Sequence, residues 1–457
     1  MSTQISYARL PYLVLSILFI SVRIAGQSPT LSVEKPEDGT RNAELSAVIV
    51  TNSNDDGPGS LRQAIRDAGA GGTVGFSALF SQPQTITLTT GELVVGNINI
   101  VGPGADLLTI SGNNSSSVIQ VLNSGPVQIS GMTITKGYVR GIYLPFGGRL
   151  TLDGMVVYGN SGSSQGSGLY GFASALTVSN STFYGNSTSA IYNDESTLTV
   201  TNTTISGNVG YGIISLGQAT ITNCTITNNA LGGMLSYSGA TVGSSIIAGN
   251  LNNANQPDVV HSGGSSAPPI VSNGYNLIGN RGSVSFNGPG DQAGTSLGLL
   301  SPQLGLLRNN GGPTPTHLPL PGSRAIDAGN SSGLTNDQRG TGFLRVVDLI
   351  RANAPGGNGS DIGAVELQTE PPLATAGIFG KLRRPSGNVL SNTRVYLVDQ
   401  QGQIRNTTSS SFGEFSFTGL PVGQTYSLGV LSKRYRFAAQ SLFLDTNIGD
   451  LNLIGLE

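Results

Sequence analysis

The chain has 457 residues, of which 66 are glycine, about 14% against a usual share of about 7%. Only 11% of residues are charged and the formal net charge is −2, so there is no basic footprint for nucleic acid. One cysteine, Cys224, and two histidines, His261 and His317, exclude a disulfide framework and a Cys-rich metal centre and leave little for a His-based site. The 37% apolar fraction still permits a large core, and what remains is a glycine-rich, weakly charged β-type chain.

At the amino terminus Arg9 precedes an apolar run, Leu10 to Val22, of 13 residues. That is shorter than the roughly 20 residues of a spanning helix and suits the apolar stretch of a signal peptide. The pattern predicts a signal peptide over 1–26, cleaved after Gly26, and a polar, flexible leader over 27–47. The mature chain is then exported, secreted or held at a cell surface, with no membrane span.

Residues 48–76, VIVTNSNDDGPGSLRQAIRDAGAGGTVGF, predict a strand, a short helix and a second strand. Ser60 is the expected N-cap of LRQAIRDA (61–68), with Gln63 closing a capping box. Leu61, Ala64, Ile65 and Ala68 form one apolar face, suited to plug the open end of a solenoid whose edge would otherwise pair with other chains. TITL (85–88), LVVGNINIVGPG (93–104) and LLTISGN (107–113) supply the first coils.

Six nine-residue segments then align: ISGMTITKG, LDGMVVYGN, VSNSTFYGN, VTNTTISGN, ITNCTITNN and VGSSIIAGN, ending at residues 137, 160, 186, 208, 229 and 250. A second element recurs between them as GIY (141–143), GLY (168–170), AIY (190–192), GII (212–214) and GML (233–235). A period near 22 residues with three short β-type runs per turn predicts a right-handed parallel β-helix. Position one (Ile129, Leu152, Val178, Val200, Ile221, Val242) and position six (Ile134, Val157, Phe183, Ile205, Ile226, Ile247) are always apolar and should point inward, stacking at about 4.8 Å per coil. Position three holds Gly131, Gly154, Asn180, Asn202, Asn223 and Ser244, residues that accept the left-handed conformation of a tight corner. Position nine is asparagine at 160, 186, 208, 229 and 250, which predicts a coil-to-coil ladder. Asn180, Asn202 and Asn223 also lie in glycosylation sequons, a reading that requires exposed side chains. Cys224 at position four is expected as a small inward filler.

Downstream, residues 257–367 contain SNGYNLIGN, LGLLRNNGGPTPTHLPLPGSRAIDAGN, TNDQRGTGFLR and DIGAVEL, the last expected to form the final solenoid strand. Together with the repeats and the SLRQAI segment, these strings resemble the bacterial choice-of-anchor Q family of β-helix surface proteins over about residues 48–367. The resemblance implies a pectin-lyase-like solenoid and an exported location, and no reaction. Next, TEPPLATA (369–376) carries Pro371 and Pro372, which cannot extend a sheet ladder, and is expected to be a linker. Residues 377–457 show alternating runs, TRVYLVD, GEFSF and TYSLGVL, between glycine turns, which predict a small antiparallel β-sandwich. Their pattern is similar to carboxypeptidase regulatory-like domains, which implies an interaction module and no peptidase activity. The expected fold class is therefore all-β: a right-handed parallel β-helix over 48–368, then the sandwich as an independently folded unit.

Glycoside hydrolysis needs two carboxylates about 5–9.5 Å apart, hence one or two coils apart on one ladder. Between 129 and 250 the only acids are Asp153, Asp194 and Glu195. The in-register neighbours of Asp153 are Ser130 and Ser179; those near Asp194 and Glu195 are Gly171, Phe172, Leu216 and Gly217. Lys136, Arg140 and Arg149 are candidate bases for a calcium-assisted lyase, but the acidic ligands are missing. The other acids, Asp327, Asp337, Asp348, Asp361 and Glu366, accompany Arg324, Arg339, Arg345 and Arg351 near the solenoid's carboxyl end. They read either as a metal or substrate site or as an Arg–carboxylate network that fastens the final coils, and matched charge favours the network. His317 is expected to be packing, and His261 has no partner in sequence. No catalytic, cofactor-binding or metal residue is assigned. The expected function is an exported, non-enzymatic scaffold for surface adhesion or for matrix or glycan binding; the alternative is a carbohydrate-active β-helix enzyme, a polysaccharide lyase or glycoside hydrolase.

Overall fold

The computed structural model describes residues 47–456 except 163–165, 251–255, 350, 370–374, 401, 423 and 445. The expected signal peptide, nearly all of the leader and the prolines of the linker lie outside the described residues. Up to Ala293 the chain winds as a right-handed solenoid of parallel strands. Three sheets run along it: sheet A with ten strands from Val48–Val50 to Ile270–Ser272, sheet B with ten from Gln84–Thr87 to Gln292–Ala293, and sheet C with eight from Leu93–Val95 to Val259–His261. Right-handed winding is the usual consequence of twisted strands joined by parallel crossovers.

The repeat register is the predicted one. Leu152 of sheet A pairs with Ile129 on one side and Val178 on the other, and Val157 of sheet B with Ile134 and Phe183. Positions one and six are buried throughout and form one continuous core. Each such aliphatic side chain contributes about 1.5–3 kcal/mol by leaving water. All six position-three residues have φ between 47° and 63°, so Gly, Asn and Ser sit at the corner because β-branched residues do not tolerate that backbone. Cys224 is fully buried between Val200 and Thr222 carbonyls, and burial pushes its thiol up to about 12, which makes it inert filler.

The helix Leu61–Asp67 forms, with Ser60 Oγ accepting from Gln63 N–H at 3.2 Å. The reciprocal half of the expected capping box is absent: the Gln63 side chain bonds Asp67 and Arg66 instead, while Ser60 N–H donates to Gly57 carbonyl. A glycine turn already supplies that acceptor. Leu61, Ala64 and Ala68 are buried and Ile65 packs against the same core.

One expectation downstream is corrected. DIGAVEL is not a strand, and no named strand lies between Ala293 and Thr375 among the described residues. The Arg- and acid-rich segment packs Ala325 and Ile362 against Ile246, Ala248 and Leu277 of the last coils. It runs back over the outward side of sheet B: Thr182 Oγ1 donates to Pro315 carbonyl, Thr204 Oγ1 to Gln338 Oε1, and Ala364 N–H to Thr225 Oγ1. The outward hydroxyls of position five in three successive coils thereby give this irregular segment the partners that a sheet would otherwise supply.

Residues 375–454 form a three-stranded sheet in the order Glu414–Pro421, Thr375–Arg383, Ile448–Ile454, and a four-stranded sheet in the order Ile404–Thr408, Arg394–Val398, Gln424–Leu431, Gln440–Leu444. All pairs are antiparallel except Thr375–Arg383 with Ile448–Ile454, which is parallel. Ile378, Leu397, Phe415, Leu420, Tyr426 and Leu428 belong to their own buried cluster, which shares no residue with the solenoid core.

Candidate functional site

The winding separates Asp153 from the adjacent pair Asp194 and Glu195. Asp153 ends a strand of sheet A, flanked in register by Ser130 and Ser179, and accepts from Ser179 Oγ at 2.6 Å and Asn180 Nδ2 at 2.7 Å. Asp194 ends a strand of sheet C beside Phe172, and Glu195 occupies a corner at φ 49°. The candidate bases are likewise dispersed: Arg149 opens a strand of sheet A, Lys136 sits at a corner with φ 54°, and Arg140 precedes a strand of sheet C. Among the described residues no group of three His, Cys, Asp or Glu side chains is placed to hold a metal ion.

Of the downstream acids, Asp361 and Glu366 come together and are held by backbone amides. Asp361 accepts from Asp327 and Leu367 N–H, and Glu366 from Val347 and Asp361 N–H. Asp337 and Arg339 form the expected forked ion pair, at 2.6 Å and almost fully buried. Arg345, 0% exposed, donates to Asn223 Oδ1 and to the Asp361 and Gly363 carbonyls. Burial pushes Asp361 and Glu366 up and Arg345 down. This is a structural clamp in which buried backbone amides satisfy the carboxylates. It also decides the sequons at Asn202 and Asn223: both side chains are buried, donating to the Asn336 and Ser331 carbonyls. His317, buried with its pKa lowered by desolvation, bonds Ser206 Oγ at 2.8 Å and Gly305 carbonyl at 2.6 Å. His261 ends the last strand of sheet C with Nδ1 unpartnered.

A further constellation lies on the outward side of sheet C, half-buried at Tyr143 and Tyr192 and buried at Tyr170. The third residue of the GIY-type element points outward in every coil, because the middle residue is committed to the core. Tyr143, Tyr170 and Tyr192 are therefore in register, followed by Ile214 and Leu235. Successive tyrosine ring centroids are 5.6 Å apart. Arg140 lies over two of the rings, its Cζ 4.6 Å from the Tyr143 centroid and 4.3 Å from that of Tyr170, within the range of cation–π attraction. Its Nε has no hydrogen-bond partner. Tyr170 hydroxyl donates to Asp194 Oδ2 at 2.7 Å, and burial together with that carboxylate holds the phenol protonated, well above its ordinary pKa. Phe146 and Phe172 extend the aromatic surface, their centroids 5.8 Å apart. The result is a line of flat rings one coil apart, with a cation, a carboxylate and hydroxyl groups at its side.

Sequence reasoning aligned GIY, GLY and AIY but passed over the shared terminal tyrosine. Its signal was three aromatic residues at one position of consecutive repeats. A separate pair, Tyr158 and Tyr184, stacks at 4.9 Å and 3° on sheet B, where Pro313 and Pro315 line the same shallow groove.

The family model described as right handed beta helix region matches residues 117–282, and that described as carboxypeptidase regulatory-like domain matches 377–447. No curated protein matches the chain. Among solved structures, the chain is similar to pectate lyase Pel9A at 15% identity and TM-score 0.42, over 71% of this chain and 97% of that one. It is similar to the major allergen from cedar pollen, jun a 1, at 15% identity and TM-score 0.37, over 50% of this chain and 75% of that one. The A-module of an Azotobacter vinelandii mannuronan C-5 epimerase follows at 16% identity and TM-score 0.29, over 48% and 79%. At these values the likenesses carry no inference about chemistry.

Proposed function

We propose that the chain is an exported, non-enzymatic solenoid scaffold that binds a glycan along sheet C. The observation that carries this reading is the in-register row Tyr143, Tyr170 and Tyr192 with Arg140 across two of its rings. Rings that already pack on one another cost little entropy to order, so a sugar chain would meet a row of fixed phenol groups at one per coil. Arg140 and Asp194 beside them offer a donor and an acceptor for hydroxyl groups. The separation of Asp153 on sheet A from Asp194 and Glu195 at the end of a sheet C strand supports binding without turnover. The apolar segment after Arg9 and the resemblance to choice-of-anchor Q surface proteins support export, to the medium or the cell surface.

The test is affinity electrophoresis of the protein through gels that contain neutral or acidic polysaccharides, with release of reducing and unsaturated ends followed in parallel. Retardation that Tyr192→Ala and Arg140→Ala each weaken by about tenfold, equivalent to about 1.4 kcal/mol, is expected, with no released ends. Unaltered retardation in both variants would remove the binding face from sheet C. Release of ends above a protein-free blank would instead make the chain a carbohydrate-active enzyme.

A further inference from the structure

We infer that a pocket in the carboxyl-terminal sheets, separate from sheet C, binds an acidic polysaccharide through the carboxylates of its uronate sugars. The pocket has a volume of about 410 Å³ and gathers Arg384, Arg394, Lys433 and Arg434, with no acidic residue in its lining. It is built from three separate stretches of chain. Arg394 opens a strand and faces Leu431 of the neighbouring antiparallel strand. Lys433 and Arg434 follow in a turn closed by Ser432 Oγ, which accepts from Arg434 N–H at 3.3 Å and Tyr435 N–H at 3.2 Å. Arg384 follows the strand Thr375–Arg383 and is fixed by its N–H donating to Asn388 carbonyl at 2.8 Å.

All four cationic residues are exposed, and among the described residues none of them enters an ion pair. Elsewhere in the same sheets a counter-charge is provided, as for Lys381 with Glu414 at 3.0 Å. Four like charges around one concavity repel one another and concentrate a field that draws in anions. The remaining lining selects which anion. Leu431 and Tyr435 provide an apolar wall, with the Arg434 guanidinium 5.7 Å from the Tyr435 ring, and Asn392 and Ser432 provide hydrogen-bonding groups. A sugar ring that bears a carboxylate uses all three features. A polyphosphate chain leaves the apolar wall unused, and a nucleic-acid duplex calls for an extended basic stripe in place of a small pocket. The volume lies at the small end of the roughly 300–1,000 Å³ typical of ligand sites, which suits a short stretch of a polymer that continues into solvent.

The experiment uses the full chain and sodium polygalacturonate as probe, with dextran, polyphosphate, phosphatidylglycerol vesicles and duplex DNA in parallel, at low and high salt. Polygalacturonate binding that salt weakens, that Arg394→Ala/Lys433→Ala reduces by about tenfold or more, and that Tyr435→Ala also reduces is the expected result. Dextran should not bind at this site. Equal or tighter binding of polyphosphate, vesicles or DNA, lost in the same double variant, would overturn the assignment to a sugar acid. Polygalacturonate binding unaffected by the double variant would overturn the site itself. Should the double variant fail to fold, Lys433→Glu in the exposed turn serves in its place. Tyr192→Ala separates the two sites: loss of neutral-glycan retardation in that variant bears on sheet C, while salt-sensitive polygalacturonate binding at the pocket should persist in it.

Discussion

The side-chain amide of Asn208 donates to Oδ1 of Asn229 at 2.8 Å, and the backbone N–H of Asn208 donates to the same oxygen at 3.2 Å. The arrangement repeats from Asn160 through Asn186, Asn208 and Asn229 to Asn250. It ends on Asp258, whose Oδ1 accepts from Asn250 N–H and Nδ2 while Oδ2 accepts from Asn280 N–H. A carboxylate suits the last rung because it accepts on both oxygens and need not donate.

Asn208→Ala leaves the buried N–H and Nδ2 of Asn186 without their acceptor. Each orphaned buried group costs about 1–3 kcal/mol, so a loss of about 3 kcal/mol in unfolding free energy is expected. Asn208→Asp, nearly isosteric, should also destabilise, because the carboxylate cannot donate to Asn229. Urea denaturation of the three proteins checks this; an Asp variant as stable as the parent would refute the ladder's directionality.

At the opposite end of the solenoid, Asp55 accepts from Arg62 and from the N–H and hydroxyl groups of both Thr89 and Thr90. Burial acts to raise its pKa, but the Arg62 guanidinium and the threonine donors outweigh burial and hold it well below the ordinary carboxylate range. A depressed folded-state pKa contributes stability that is present above the unfolded value near about 3.9 and lost as pH falls further. Exchange of the amides of Leu61–Asp67, measured against pH, should accelerate below about pH 4. Asp55→Asn should abolish that dependence and cost about 1.5–3 kcal/mol at neutral pH.

The segment clamped on sheet B has the opposite pH dependence. Burial pushes Glu366 up to about 9 and Asp361 up to about 6. Raised folded-state values mean stability that is full at low pH and lost as pH rises through them. Thermal melts should therefore show declining stability from about pH 5 to about pH 9, with Glu366→Gln flattening the upper part. Arg345→Met removes the buried cation and orphans Asn223 Oδ1 and two carbonyls, at an expected cost of about 3–5 kcal/mol. The combination with Glu366→Gln should cost less than the sum of the two. Strict additivity in the double-mutant cycle would refute the coupling.

Residues 375–457 expressed alone should unfold cooperatively, because their buried cluster is built from Ala376 to Leu453 without a solenoid residue. Circular dichroism during a denaturant titration checks this. A fragment that gains structure only when 48–368 is added would show that the sheets depend on the solenoid.

The sequence by itself determined the coil. Apolar positions one and six and left-handed residues at three recur in all six aligned repeats, and asparagine at nine in five of the six, so they form a visible period. Ile129, Phe183 and Ile247 could be placed in the core, and Asn180 and Ser244 at corners, without coordinates. The tyrosine row was equally present in GIY, GLY and AIY, yet its exposure follows only once the alternation fixes which residue of each triplet faces out.

Other features were decided by tertiary structure alone. Nothing local to His317 announces Ser206, 111 residues away, nor does Gln338 announce Thr182, 156 residues away. Asp258 breaks the asparagine pattern and yet completes it, because what the last rung requires is an acceptor. Arg384, Arg394 and Lys433 lie on three separate stretches of chain until antiparallel pairing of Arg394 with Leu431 brings them around one pocket. A repeat records what each residue needs from its own turn; contacts between irregular segments depend on where the whole chain returns in space, and that leaves no periodic trace.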